Sequence, residues 1–315
     1  MRAVLLFGVG LFAAIHLAGC AKGEPPAFNG DSAFVFLREQ CDIGPRYPGS
    51  PGHAAVQRYL VEKLTSFGAN VSLQPFEAVP AGGDTLRLVN IVAAYRAGAG
   101  KRILLGAHYD TRPRADRERD PANRSKPIIG ANDGASGVAV LLEIARLLGS
   151  WKPPVGVDIV LFDGEDYGEE GNAQDYLLGS RRFAAGLGGY RPIAVIVVDM
   201  VGERDSRLPI EGFSSAASAA LCARIYGIAG TLGVENFVQA QGPSIIDDHL
   251  PFIQAGLPAI DLIDFDYQHW HTLSDTPDKC AGSSLAAVGS VLVRFIRDER
   301  WAIFLLLSPI FSASH

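Results

Sequence analysis

Residues 102–110 read Arg-Ile-Leu-Leu-Gly-Ala-His-Tyr-Asp, a short apolar run that stops on a histidine and an aspartate. Residues 157–166, Val-Asp-Ile-Val-Leu-Phe-Asp-Gly-Glu-Asp, follow the same plan and close on carboxylates. Residues 193–199 (IAVIVVD) repeat it and run on into Met200-Val201-Gly202, and the segment 258–263 leads towards His269-Trp270-His271-Thr272. Such runs are too short for helices and too continuously apolar for strands with one wet face, so they predict strands buried on both sides. Between them, residues 134–148, 175–185, 215–232, 247–255 and 283–297 read as helices. Upstream, 31–40 and 53–67 read as helices, the second with Val56, Leu60, Leu64 and Phe67 on one face; 71–76 and 86–95 read as strands of a candidate hairpin. Strands alternating with helices, with no internal repeat and no dividing linker, predict a single three-layer α/β domain.

The composition fits that reading. The 315 residues carry 28 Lys+Arg and 34 Asp+Glu, a net charge of 28 − 34 = −6, with 48% hydrophobic and 20% charged residues. These are globular values and exclude a disordered or fibrous chain. The mild acidity argues against a nucleic-acid partner, which calls for a basic stripe. Four cysteines are too few for a disulfide scaffold. No apolar run reaches the roughly 20 residues of a spanning helix.

The two ends have their own readings. Arg2 followed by apolar residues 3–15 has the layout of an export signal, and Leu17-Ala18-Gly19-Cys20 resembles a bacterial lipobox. Residues 1–20 are therefore expected to be a lipoprotein signal peptide ending at a lipidated Cys20, with 21–30 a tether, 31–300 the catalytic domain and 301–315 an apolar tail. That places the mature chain outside the cytoplasm, touching a membrane only through its lipid. Lys22, rather than Asp, points to outer-membrane retention if the source is Gram-negative. Cys41, Cys222 and Cys280 remain, an odd number whose pairing sequence leaves open.

In open α/β sheets ligands bind beyond the carboxyl ends of the strands. The turns after residues 107, 162, 198 and 263, with Gly130-Ala131-Asn132-Asp133-Gly134 before a helix, send carboxylates and imidazoles to that edge. A lone Asp there is ordinarily a turn or helix cap, and a lone His a satisfied interior residue. Five such turns together are a different matter, because crowded carboxylates repel and take up protons unless a cation neutralises them. A mixed oxygen and nitrogen donor set suits zinc. The sequence has no His-Glu-x-x-His, Cys-x-x-Cys, Gly-x-Ser-x-Gly or phosphate-loop motif.

In this order, the five turns resemble the zinc aminopeptidase superfamily, peptidase family M28, which also contains the animal-type glutaminyl cyclases. The likeness runs over residues 28–297 and implies a mixed, mainly parallel central sheet flanked by helices. In the two-zinc peptidases, residues matching Asp133 bridge the metals, those matching His108 and Asp199 complete one site, and those matching Asp166 and His271 the other. The residue matching Glu165 is the general base. In the cyclases a single zinc is held by residues matching Asp133, Asp166 and His271, and those matching His108 and Asp199 support them from behind.

Asp247-Asp248-His249 resembles the cyclase Asp-Asp-His turn, where peptidases carry Ser-Asp-His, and Trp270-His271-Thr272 resembles the cyclase Trp-His-Thr. Gly44-Pro45-Arg46, Gly106–Pro113 and Phe162–Gly168 resemble bacterial members of the cyclase branch. Two departures stand out: Gly171 falls where animal cyclases place a tryptophan, and Asp166 where they have glutamate.

The resemblance implies cyclisation of the N-terminal glutamine of peptides or proteins to pyroglutamate with loss of ammonia, dependent on Zn2+. Glu165 would act as base and then acid, Asp248 supported by Asp199 would orient the leaving nitrogen, and Trp270 would press on the substrate. The alternative is a two-zinc aminopeptidase, and a third reading is an inert binding protein on the same fold.

Overall fold

The computed structural model describes residues 25–298 apart from positions 82 and 170; the signal peptide, residues 21–24 of the tether and the apolar tail expected above lie outside the described residues. Six strands form the main sheet: β1 (Asn70–Ala78), β2 (Leu86–Tyr95), β3 (Arg102–His108), β4 (Gly156–Phe162), β5 (Val195–Asp199) and, after two short strands elsewhere, β8 (Ala259–Ile263). Their order is β1-β2-β4-β3-β5-β8. The pairs β4·β3, β3·β5 and β5·β8 are parallel, whereas β1·β2 and β2·β4 are antiparallel, so the sheet is mixed and mainly parallel.

The continuous apolar runs follow from the two covered faces. Alternate side chains of a strand point to opposite sides. On one face Ile103, Leu105, Ile159, Leu161, Ile196 and Val198 meet the helices α1 (Gly30–Asp42), α2 (Pro51–Ser66), α3 (Ala135–Ser150), α5 (Gly212–Leu232) and α7 (Gly282–Arg297). On the other, Leu104, Val160, Phe162, Val195 and Val197 pack with residues on or just beyond α4 (Leu178–Ala185) and α6 (Leu250–Gln254), among them Phe183, Phe252 and Leu257. Helix α2 begins at Pro51, two residues before the predicted start, because Ser50 caps it by accepting the His53 N–H at 3.0 Å and proline is tolerated at the first helical position.

Three differences from the sequence reading have physical causes. The helix expected over 175–185 starts at Leu178, because Ala173–Asp175 forms a single 3₁₀ turn and Leu177 takes a left-handed φ of 58°. The helix expected over 247–255 shrinks to Leu250–Gln254 with Pro251 in its first turn, which leaves 247–249 in the preceding turn. A parallel pair, β6 (Leu208–Ile210) with β7 (Phe237–Gln241), has no apolar run to announce it. Cys41, Cys222 and Cys280 are all buried and unbridged.

Helix α5 also closes the sheet at β8. Ser214 Oγ accepts the Asp261 N–H at 2.9 Å and Ser218 Oγ accepts the Ala259 N–H at 3.0 Å, so two backbone donors of this edge strand are satisfied by side chains. Ser218 is itself a kink in α5, with φ −137° and ψ 39°.

Helix α3 approaches the sheet most closely at Gly137, where an added Cβ would lie 2.0 Å from the Val198 carbonyl oxygen. Gly137→Ala is expected to cost about 1–3 kcal/mol by urea denaturation, since helix and sheet must separate. Gly227→Ala, in exposed α5 with nothing within 4 Å, is expected to add about 0.5–1 kcal/mol instead.

Candidate active site

The parallel strands direct their carboxyl ends to one edge, and the chemistry gathers there. His108 closes β3 and Asp199 closes β5, while Glu165 and Asp166 occupy the turn after β4. Asp133 stands in the turn that opens α3, and His271 in the loop after β8. The backbone is bent sharply at these points. Met200 and His271 hold left-handed φ values of 46° and 55°, each costing about 1–3 kcal/mol for a non-glycine residue. Gly134, at φ 99°, leaves room that a Cβ would fill, since it would lie 2.6 Å from the Asp110 carbonyl oxygen.

Asp133 sits between two imidazoles. His108 Nε2 lies 3.3 Å from Asp133 Oδ1 and 3.1 Å from Asp199 Oδ1. His271 Nε2 lies 3.6 Å from Asp133 Oδ2 and 3.3 Å from Asp166 Oδ1. Within each of the groups His108–Asp133–Asp199 and Asp133–Asp166–His271, one donor atom per residue lies within 4.8 Å of the others, close enough to share an ion. Asp133 Oδ2 and Asp166 Oδ2 are buried with no hydrogen-bond partner. Buried carboxylate oxygens with no donor need a cation, and oxygen with imidazole nitrogen is a donor set that fits zinc. The residues expected as ligands, Asp133, Asp166 and His271 with His108 and Asp199, are thus brought together at one edge.

A ring of residues to which the sequence reading gave no role holds these ligands. Asp116 Oδ1 lies 3.3 Å from His271 Nδ1 and so orients the ring. Arg112, 1% exposed, donates to Asp166 Oδ1 at 2.7 Å and to Asp116 Oδ2 at 2.6 Å. Asp275 accepts the N–H groups of Asn132 and Asp133 at 2.8 and 3.1 Å and is itself held by the Tyr267 hydroxyl. Asp110 accepts the N–H groups of Glu165 and Asp166 at 3.1 and 3.3 Å. The wholly buried Arg46 donates to the carbonyls of Ile129 and Gly130 at 2.8 and 2.9 Å, which fixes the Asp133 turn from behind.

A cavity of about 460 Å³ opens on this cluster, lined on its polar side by Glu165, Asp199 and Asp247 and on its apolar side by Ile245, Phe265 and Trp270. The Trp270 and His271 ring centroids lie 3.8 Å apart, and Phe265 packs against Trp270 at 5.0 Å. Gly171 is on the rim with nothing within 4 Å of where a side chain would begin, so that wall is open.

One expected residue needs correction. Asp248, assigned above to the substrate, is 1% exposed and does not line the cavity; its neighbour Asp247 does. The tight turn before α6 accounts for this, with Asp247 Oδ1 accepting the Asp248 N–H at 2.5 Å. Burial pushes the Glu165 carboxyl well above its usual range; His108 draws it down, and the charges of Asp166, Asp247 and Asp248 drive it further up. Asp199 is raised by burial against the pull of His108, with Asp247 again adding to the rise.

This mixed sheet with acidic and imidazole ligands at its carboxyl edge is that of a metal-dependent hydrolase-like enzyme, and residues 90–296 match the sequence profile of peptidase family M28, to which the chain belongs. Among curated relatives, the glutaminyl-peptide cyclotransferase-like protein of Bos taurus is 28% identical over 298 residues, covering 84% of this chain and 74% of that protein. Among solved structures, the glutaminyl cyclase of Bacteroides thetaiotaomicron is 37% identical with a TM-score of 0.84, covering 87% of this chain and 99% of its own. A leucine aminopeptidase precursor from Bacteroides thetaiotaomicron is equally similar, at 37% identity, a TM-score of 0.85 and coverage of 87% and 99%.

The ligand geometry sets how zinc uptake responds to pH. Burial opposes charge on His271, but the Asp166 charge and the hydrogen bonds to Asp116 and Asp166 outweigh it and push its pKa up to about 9. Zinc must displace that proton, so affinity in a chelator competition is expected to rise about tenfold per pH unit from 7 to 9 and then level off. Asp116→Asn is expected to weaken zinc binding about 10- to 100-fold at neutral pH.

Proposed function

We propose that this protein converts the N-terminal glutamine of peptides to pyroglutamate with release of ammonia, using one zinc ion held by Asp133, Asp166 and His271. The observation that carries the reading is Asp247, a carboxylate on the cavity wall together with Glu165 and Asp199. Ring closure moves a proton from the attacking nitrogen to the departing one, and a cluster of carboxylates facing one cavity serves that transfer. The similarity to the glutaminyl-peptide cyclotransferase-like protein of Bos taurus and to the glutaminyl cyclase of Bacteroides thetaiotaomicron supports the same reading.

Asp133, Asp166 and His271 would hold the zinc ion, which would supply Lewis acidity to the side-chain carbonyl oxygen of the substrate's glutamine. Glu165 accepts the proton of the α-amine as its nitrogen bonds to the amide carbon. The same carboxyl returns that proton to the amide nitrogen as the carbon–nitrogen bond breaks and ammonia leaves. Asp247, with Asp199 beside it on the wall, accepts a hydrogen bond from the leaving nitrogen and sets its direction. His108 holds Asp199 at 3.1 Å and so works from behind the ligands. Trp270 and Ile245 form an apolar slot that holds the glutamine side chain bent, and bringing two groups of one molecule together supplies much of the rate.

A second reading has its own observation. His108, Asp133 and Asp199 also have ion-binding spacing, and the similar leucine aminopeptidase precursor shares the fold. Two bound ions would make Glu165 the base for hydrolysis of an N-terminal peptide bond.

The proposal extends to location. Leu17-Ala18-Gly19-Cys20 supports an exported lipoprotein carried on Cys20, with outer-membrane retention favoured by Lys22 in a Gram-negative source. Mass spectrometry of the mature N-terminus is expected to find a diacylated Cys20, and Cys20→Ser to release the chain from the membrane fraction.

Zinc-loaded protein offered Gln-leading and Leu-leading peptides is expected to remove ammonia from the first and leave the second intact, with one zinc per chain. Glu165→Gln is expected to keep its zinc and lose activity by about 100-fold or more. Release of free leucine with two zinc ions per chain would establish the peptidase.

A further inference from the structure

Behind Asp247 lies a buried polar cluster that the mechanism above does not use. It begins at Glu211, which caps α5 by accepting the N–H groups of Phe213 and Ser214 at 2.9 and 2.6 Å. The same carboxylate accepts the Ser214 hydroxyl at 2.6 Å and, from across the site, the Ile245 N–H at 2.9 Å. His249 Nε2 stands 3.1 Å from Glu211 Oε2, and its Nδ1 is turned towards Asp261 Oδ2 at 3.8 Å. Glu211 therefore holds the turn that carries Asp247 through the backbone of Ile245, with the His249 ring close beside its carboxylate.

Asp261 completes the cluster. It lies on β8, 2% exposed, and one donor atom from each of Asp247, His249 and Asp261 lies within 4.8 Å of the others. Asp247 Oδ2 and both carboxylate oxygens of Asp261 are buried without a hydrogen-bond partner. Two buried carboxyl groups side by side persist only if a proton or a cation stands between them. Burial, with the Asp247 charge beside it, pushes the Asp261 carboxyl well above its usual range. By contrast the hydrogen bonds from His249, Ser214 and Ile245 outweigh burial and hold Glu211 down at about 2, a fixed anion.

We infer that Asp261, as a neutral acid donating to Asp247 and backed by the Glu211–His249 pair, is the positioning residue that holds Asp247 against the substrate's reacting nitrogen. Asp261 itself does not line the cavity and acts only through Asp247. The inference rests on the cyclase reading for the identity of the substrate, but the arrangement of the cluster does not depend on it.

The test compares Asp261→Ala with Asp261→Asn, alone and in an Asp247→Asn background, on whichever N-terminal substrate the wild-type protein turns over. The wild-type assay by itself decides between cyclisation and hydrolysis, so a failure of the functional reading shows there and not in the variant ratios. Asp261→Ala is expected to lower kcat about 100-fold with KM within twofold, the scale of a misplaced catalytic group. Asn, which keeps a donor in the same place, is expected to restore at least tenfold over Ala. In the Asp247→Asn background, Asp261→Ala is expected to add less than threefold, as two residues acting in series do.

Zinc content and the thermal midpoint are measured on every variant, and Asn keeps the fold testable if Ala does not. Asn as inactive as Ala, additive losses in the double variant, or full activity of Ala would each overturn the inference. So would metal analysis that finds an ion lost from Asp261→Asn while Asp133, Asp166 and His271 keep theirs, since a cation would then occupy the place given to the proton.

Discussion

The carboxylate of Asp133 offers one oxygen to His108 and the other to His271, and the surrounding architecture keeps it there. Its position comes from the backbone: Asp275 takes the N–H groups of Asn132 and Asp133, Arg46 takes the carbonyls of Ile129 and Gly130, and Gly134 provides the left-handed bend. The ligands arrive on separate pieces of chain, so local sequence alone does not bring them together. What brings them together is the parallel sheet, whose strands β3, β4, β5 and β8 all end at one edge. The hydrophobic layers on both faces make that edge rigid, and the strained residues Met200 and His271 are held in place at its expense.

Electrostatics then divides the edge into two functions. On one side the carboxylates are arranged to meet a cation, with the Arg112 and Asp116 pair fixing Asp166 and His271. On the other, Glu165, Asp199 and Asp247 share a cavity with an aromatic wall, and their crowding raises the affinity of Glu165 and Asp199 for protons. Ligands need their protons displaced, while proton carriers need to hold and release them. The same residue type serves both because neighbours decide its charge.

Much of this was legible in the sequence, for a definite reason. A strand covered on both faces is apolar until it reaches the edge, so the polar residues that follow it are conspicuous, and His108, Asp166, Asp199 and His271 were all found in this way. Asp133 was found from a glycine-flanked turn before a helix. Arg112, Asp116 and Asp275 were not found, because they lie in polar loops where charge is ordinary and only the fold folds them back on the ligands. Asp247 was missed by a single position. Which of two adjacent aspartates faces the cavity depends on where the turn ends and α6 begins, and that boundary moved from 247 to Leu250. The pair β6·β7 escaped notice since strands of three and five residues with glutamines at 239 and 241 carry no pattern.

The place of β8 in the sheet has a consequence for how the site comes into being. His271 follows the edge strand that comes last among the described strands, and lies 271 − 108 = 163 positions after His108. During synthesis from the N-terminus, β3, β4 and β5 with their carboxylates exist before the final ligand does. Closing so long a loop is slow and is rewarded only when β8 docks on β5. Until then the carboxylates of Asp133 and Asp166 lack the imidazole that completes their ion site, so tight metal capture marks the end of folding rather than its start. An ion held there would fasten the last-arriving edge of the sheet to its earliest strands.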